Sequence, residues 1–165
     1  MNSIAQWFVD HLGGFLSPEA IVFLISMLPL IEVRGGIPIA FAFGLPMWQA
    51  ILISVCGNIL PIPFILLFIR KIFAWLRPTK VLGPLVRKLE NRAMNKSDSI
   101  EKMEFWGLLI FVGIPLPGTG GWTGALIAAL LEIDIKKASL AILCGIALAT
   151  IVMCLITYGV IGHIF

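Results

Sequence analysis

The sequence predicts an all-α integral membrane protein made of two inverted repeats. Each repeat is a re-entrant helical hairpin followed by one full transmembrane helix, with amphipathic helices at the N-terminus and in a cytoplasmic loop. Three observations lead there. Of 165 residues, 59% are hydrophobic and 13% charged, where a soluble domain carries about 25% charged residues, and mean hydropathy is +1.03. Two uncharged stretches are long enough to cross a bilayer. Two shorter apolar stretches are each interrupted by glycine and proline.

Residues 1–17 come first. Ile4, Phe8 and Leu12 recur at four-residue spacing beside Trp7, the stripe of a helix lying in the membrane interface. Residues 1–33 hold no Lys or Arg, so no positively charged leader segment is expected there. Residues 18–69 form the first repeat. Ile21 to Val33 is apolar, Arg34-Gly35-Gly36-Ile37-Pro38 interrupts it, and Ile39 to Leu45 resumes. Neither flank is long enough to span at 1.5 Å per residue. Glycine and proline disfavour a continuous helix between them. Met47 to Ile69 then gives a full span, with Pro61 and Pro63 kinking its far end.

Residues 70–104 are a basic loop. Nine of the twelve Lys and Arg lie between Arg70 and Lys102, which marks the cytoplasmic side. Leu85, Leu89 and Ala93 form a stripe among Arg87, Lys88 and Arg92, suited to a helix on anionic headgroups. Asp98 and Glu101 suit the cap of the next helix. Residues 105–165 repeat the pattern. Phe105 to Ile114 is followed by Pro115-Leu116-Pro117-Gly118-Thr119-Gly120-Gly121, a short helix from Trp122 to Leu131, and a full span from Ala138 to Ile161.

Two hairpins would leave Lys136 and Lys137 inside and the Lys-free N-terminus outside, whereas four complete spans would reverse both. The positive-inside bias favours hairpins. Pro29, Gly35 and Gly36 match Pro115, Gly120 and Gly121 about 86 residues on, and Cys56-Gly57 matches Cys144-Gly145. An odd number of crossings per repeat inverts the second against the first. The three cysteines are expected to face other helices as small packing residues. Trp48, Trp75 and Trp106 are expected at the membrane boundaries.

Chemistry concentrates at Glu32, Arg34, Gly35, Gly36 and Pro38. A charge at membrane depth costs about 2.5–3.5 kcal/mol on insertion scales, so it pairs or lines a wet cavity. The expectation is Arg34 for an anionic group and Glu32 for a proton or a cation. The alternative is an ion pair that holds the hairpin tip. Half-helices starting near Ile37 and near Trp122 would aim their free N–H groups at the same centre. Pro115, Pro117, Gly118, Thr119, Gly120 and Thr123 would complete it from the second hairpin. Ser54 and Asn58 share a helical face, as do Thr150, Cys154 and Thr157, and Asn58 joins the candidate set. No nucleophile–base ordering, phosphate loop or metal-spaced cluster is visible. No enzyme, metal, cofactor or nucleic-acid partner is therefore expected.

At Glu32-Val33-Arg34-Gly35-Gly36-Ile37-Pro38 and Pro115-Leu116-Pro117-Gly118-Thr119-Gly120, over nearly the whole chain, the sequence resembles the small multidrug export family. That family resembles the wider DedA/VTT superfamily, which implies two re-entrant hairpins and inverted repeats. The resemblance implies translocation of a lipid-linked phosphate such as undecaprenyl phosphate, coupled to protons, with Glu32 and Arg34 matching the acidic and basic residues of the first hairpin. The second hairpin lacks the arginines that DedA proteins carry in that half. The reading is a plasma-membrane transporter of an amphipathic substrate, driven by a proton gradient and working as a homodimer in the lipid bilayer. The alternatives are export of cationic drugs and a non-transporting scaffold or assembly factor.

Overall fold

A computed structural model describes residues 16–79, 83–94, 104–116 and 118–161, and these are helical with short connections. The N-terminal interfacial helix and the Asp98–Glu101 cap lie outside the described residues. Among the described residues the α-helices are, in order, α1 (Pro18–Met27), α2 (Glu32–Ala42), α3 (Met47–Ile59), α4 (Ile62–Leu76), α5 (Gly83–Met94), α6 (Glu104–Gly113), α7 (Gly121–Leu130) and α8 (Ile135–Cys154). A π-helical stretch, Leu155–Ile161, extends α8.

The first interruption lies earlier than the glycines suggest. Ser17 caps α1 by accepting from the Ala20 N–H, and Pro18 begins the helix. Leu28 precedes Pro29, and a residue before proline is pushed toward extended backbone. Leu28 sits there at φ −74°, ψ 134°, and α1 stops at Met27. Leu30 and Glu32 adopt left-handed φ values of 81° and 51°, and α2 then runs without interruption through Arg34, Gly35, Gly36, Ile37 and Pro38. The expected break at these residues, and the half-helix beginning near Ile37, are therefore corrected: the breaker is Pro29 and the half-helix begins at Glu32. A lone Pro38 removes one ladder bond, the one the Arg34 carbonyl would accept, without ending the helix.

The second interruption falls as expected. It follows Gly113, passes through left-handed Gly118 and Gly120 (φ 77° and 135°), and ends where α7 starts at Gly121. The span from Met47 to Ile69 breaks for two residues at Leu60 and Pro61, and its second part continues to Leu76. The other span runs from Ile135 to Val160.

Glycine contacts show how the elements fold back. A Cβ on Gly36 would stand 2.0 Å from Ser26 Oγ, and one on Gly124 would stand 2.5 Å from Val112 Cγ2. In a straight rod, residues ten or twelve apart lie about 15–18 Å apart along the axis. Each pair of short helices thus doubles back on itself. The same packing recurs 86 to 88 residues on: Gly57 abuts the Phe23 carbonyl and Ser26 Cβ, while Gly145 abuts the Leu109 carbonyl and Val112 Cβ. The match of Cys56-Gly57 with Cys144-Gly145 agrees with this packing. Gly36, however, packs as Gly124 does and not as Gly121.

The two halves share one core. Val33 and Ile37 of α2 join Leu108, Val112, Ala125, Ala128, Ala138, Ala141, Ile142 and Ile146. Small residues on α7 and α8 permit the close approach that helix packing in lipid requires. Leu52, Phe64, Leu67, Phe68, Leu140 and Ile151 face outward. So do Trp48, Trp75 and Trp106. Cys154 is buried, but Cys56 and Cys144 are exposed. These two point away from the bundle, which corrects the expectation that all three face other helices. Helix α5 packs against α4 and α7 and buries Val86, while Arg87 and Lys88 are exposed, so this helix is held by the bundle with basic side chains facing outward. The side chains of Leu85, Leu89 and Ala93 lie outside the described residues.

Candidate functional site

The two breaks meet, and the charged residues of the first are spent on the helix ends of the second. Glu32, the first residue of α2, is 3% exposed. Its carboxylate accepts from the Gly121 N–H at Oε2 and from the Trp122 N–H at Oε1, both at 3.0 Å. Those amides belong to the first turn of α7, where donors have no intrahelical partner and the helix dipole is positive. A carboxylate there is a charge-assisted cap. Gly120 makes room for it, since a Cβ would stand 2.4 Å from Glu32 Oε2.

Arg34 answers at the opposite pole. Its guanidinium donates to the carbonyls of Leu116 (2.6 Å), Ile114 (3.2 Å), Val112 (3.4 Å) and Thr119, and to Thr119 Oγ1 (3.0 Å). These carbonyls trail from the C-terminal end of α6, where a cation is favoured. Thr119 Oγ1 also donates to the Ile114 and Leu116 carbonyls, which ties the loop into one knot. A contact runs the other way as well. The Trp122 indole Nε1–H donates to the Met27 carbonyl at 3.0 Å, at the C-terminal end of α1. Each half therefore caps helix ends that the other half leaves open.

Among the sequence-identified residues, Glu32, Arg34, Thr119, Gly120 and Asn58 come together. Asn58, fully buried, lies beside the Glu32 carboxylate. Its amide faces that carboxylate without closing a hydrogen bond of standard geometry, and its Oδ1 would lie 3.3 Å from a Cβ on Gly121. Gly36 is buried against Ser26 and Ser54, and Gly35 packs on Ile31. Pro38, Pro115, Gly118 and Thr123 are half-buried; Pro117 lies outside the described residues. The expected centre, with Arg34 and two helix N-termini turned toward an incoming anion, is not what forms: Glu32 occupies the α7 N-terminus and Arg34 binds carbonyls. Ser26 and the Trp122 indole were missed by sequence reading. Ser26 had a usable signal, as a lone hydroxyl in an apolar stretch. The indole had none, because its partner is a backbone carbonyl 95 residues away.

A lateral cavity of about 810 Å³ opens between α3 and α8. Its walls are apolar, including Ile51, Val55, Ile59, Ile146 and Leu155, with Thr150, Cys154 and Tyr158 as polar members. Ile146 lines this cavity and also packs on Gly121, so its side chain touches both the cavity and a residue whose N–H Glu32 accepts.

The model of the family described as "Putative small multi-drug export protein" matches residues 32–152. No curated protein and no solved structure matches the chain.

Proposed function

Since the chain belongs to the small multi-drug export family, we propose that it exports lipophilic amphiphiles across the plasma membrane by unlatching the cross-linked hairpin tips. In this reading both doubled-back helix pairs are re-entrant and enter from opposite sides. The two spans, Met47–Ile69 and Ile135–Val160, cross fully, and the basic 70–104 segment is cytoplasmic. The apolar body of the substrate lies in the cavity between α3 and α8, and its head group reaches Glu32 past Ile146. No bond in the substrate is made or broken, so the protein is a transporter and not an enzyme.

The observation that carries this is the latch itself. Protonating Glu32 would remove the charge from a carboxylate that bridges two amides of α7, and charge-assisted bonds are roughly twice as strong as neutral ones. The tips would then separate. A cationic head group can take the freed Glu32 carboxylate when it reionises, which couples export to proton uptake. A second reading has its own support: with Glu32 withdrawn, the Gly121 and Trp122 N–H groups and the Arg34 guanidinium could hold a phosphate. That reading suits a lipid-linked phosphate and kinship with the DedA/VTT superfamily. Two spans make a thin wall, and a homodimer would complete it.

Flux into proteoliposomes, measured for a lipophilic cation and for a polyprenyl phosphate with and without a pH gradient, tests both. Cation flux should follow the gradient, lose its pH dependence in Glu32→Gln and fall at least tenfold in Arg34→Ala. Flux of the phosphate alone would select the second reading. A Glu32→Gln/Arg34→Met double variant with full flux would leave the latch a purely structural device.

A further inference from the structure

Comparing the two halves position by position isolates a polar cluster that packing does not require. Ser26 Oγ and Ser54 Oγ both lie against Gly36, at 2.0 and 2.7 Å from where its Cβ would stand. In the second half the same place is filled by Val112 and Ile142 around Gly124. Asn58, one turn beyond Ser54, has Ile146 as its counterpart, and the two meet at Gly121. The second half does the same packing with hydrocarbon. Ser26, Ser54 and Asn58 are fully buried; Ser26 Oγ and Ser54 Oγ have no hydrogen-bond partner, and the Asn58 amide faces the Glu32 carboxylate without closing a hydrogen bond of standard geometry. A buried polar group left unpaired is costly, the more so in hydrocarbon. Two such hydroxyls at Gly36, one turn along α2 from Glu32, and the Asn58 amide beside the carboxylate call for a ligand.

We propose that Ser26, Ser54 and Asn58 form a buried water site that relays protons to the Glu32 carboxylate. Water fits because hydroxyls and an amide offer both donors and acceptors, and buried water typically makes about three hydrogen bonds to such groups. A metal cation fits less well. Among the described residues the charged group facing Glu32 is Arg34 on its own helix; α3 presents Asn58 and α7 presents the Gly121 and Trp122 amides. The guanidinium and the positive end of α7 already balance the carboxylate. This inference rests on the proton-coupled reading above.

The test is a pH jump followed by infrared spectroscopy on the full chain in lipid, with the Glu32 carboxyl band assigned by its loss in Glu32→Gln. A Ser26→Val/Ser54→Ile/Asn58→Ile variant installs the second half's residues, and a subtractive Ser26→Ala/Ser54→Ala variant removes both hydroxyls without adding bulk. Protonation of Glu32 should slow at least tenfold in either variant. Wild-type rates in the folded variants would overturn the relay. A melting temperature raised by NaCl over choline chloride in wild type, and not in Ser26→Ala/Ser54→Ala, would overturn water in favour of a cation. The spectroscopic readout needs no transported substrate, so a working relay in a protein without flux would sink only the export reading.

Discussion

Glu32 enters its helix in a left-handed conformation, an arrangement that costs about 1–3 kcal/mol for a residue with a side chain. Its two bonds to α7 compensate for that strain, so the position is held by a partner on the other half of the chain. Gly120 is the matching concession, with φ 135° and no room for a side chain. Gly120→Ala should displace the Glu32 carboxylate and lower stability by about 1–3 kcal/mol, read as a lower melting temperature in detergent. Gly159→Ala is the control, since nothing lies within 4 Å of its would-be Cβ, and it should leave the melting temperature unchanged or slightly raised. Equal stability of the two variants would contradict the cap. Sequence reading found Glu32 and Arg34 because a charge amid hydrocarbon is conspicuous. It misassigned their partners because helix ends advertise themselves only once they are placed in space.

At the scale of elements, close helix crossings are set by glycines. Gly57 and Gly145 bring α3 and α8 against backbone carbonyls of α1 and α6, where a Cβ would stand 2.5 and 2.9 Å from oxygen. Backbone cannot move aside as a flexible side chain can. Gly57→Ala and Gly145→Ala should therefore destabilise alike, by about 1–3 kcal/mol. Limited proteolysis in detergent micelles should show faster cleavage for both. A loss confined to one of them would mean that the recurring contacts do not carry equal weight. The breaks were legible in kind but not always in place. The Pro115–Gly121 run was read correctly because two prolines and three glycines act together. The first break was misplaced because Gly35 and Gly36, which weaken a helix in water, here serve packing, while Pro29 does the breaking through its effect on Leu28.

For the molecule as a whole, the question is how the two doubled-back pairs sit in the membrane. Re-entrant hairpins entering from opposite sides place residue 19 outside and residue 136 inside; four complete spans place 19 inside and 136 outside. Glu19 and Lys136 are exposed. In a background with Cys56, Cys144 and Cys154 replaced, Glu19→Cys should react with an impermeant maleimide added to intact cells. Lys136→Cys should react only after permeabilisation. The reverse pattern would reject the hairpins and with them the inverted arrangement.

From composition and spacing alone came membrane residence, the two spans, the order of short and long helices, and the acid and base that matter, because each is written as local hydropathy or as an isolated charge. Which hydroxyls would be buried without partners depended on packing within the first half, and which helix end each charge would satisfy depended on contacts between residues 78 to 95 positions apart. Such pairings arise only when both halves close on one core, where every unpaired amide or carbonyl must find its complement away from water.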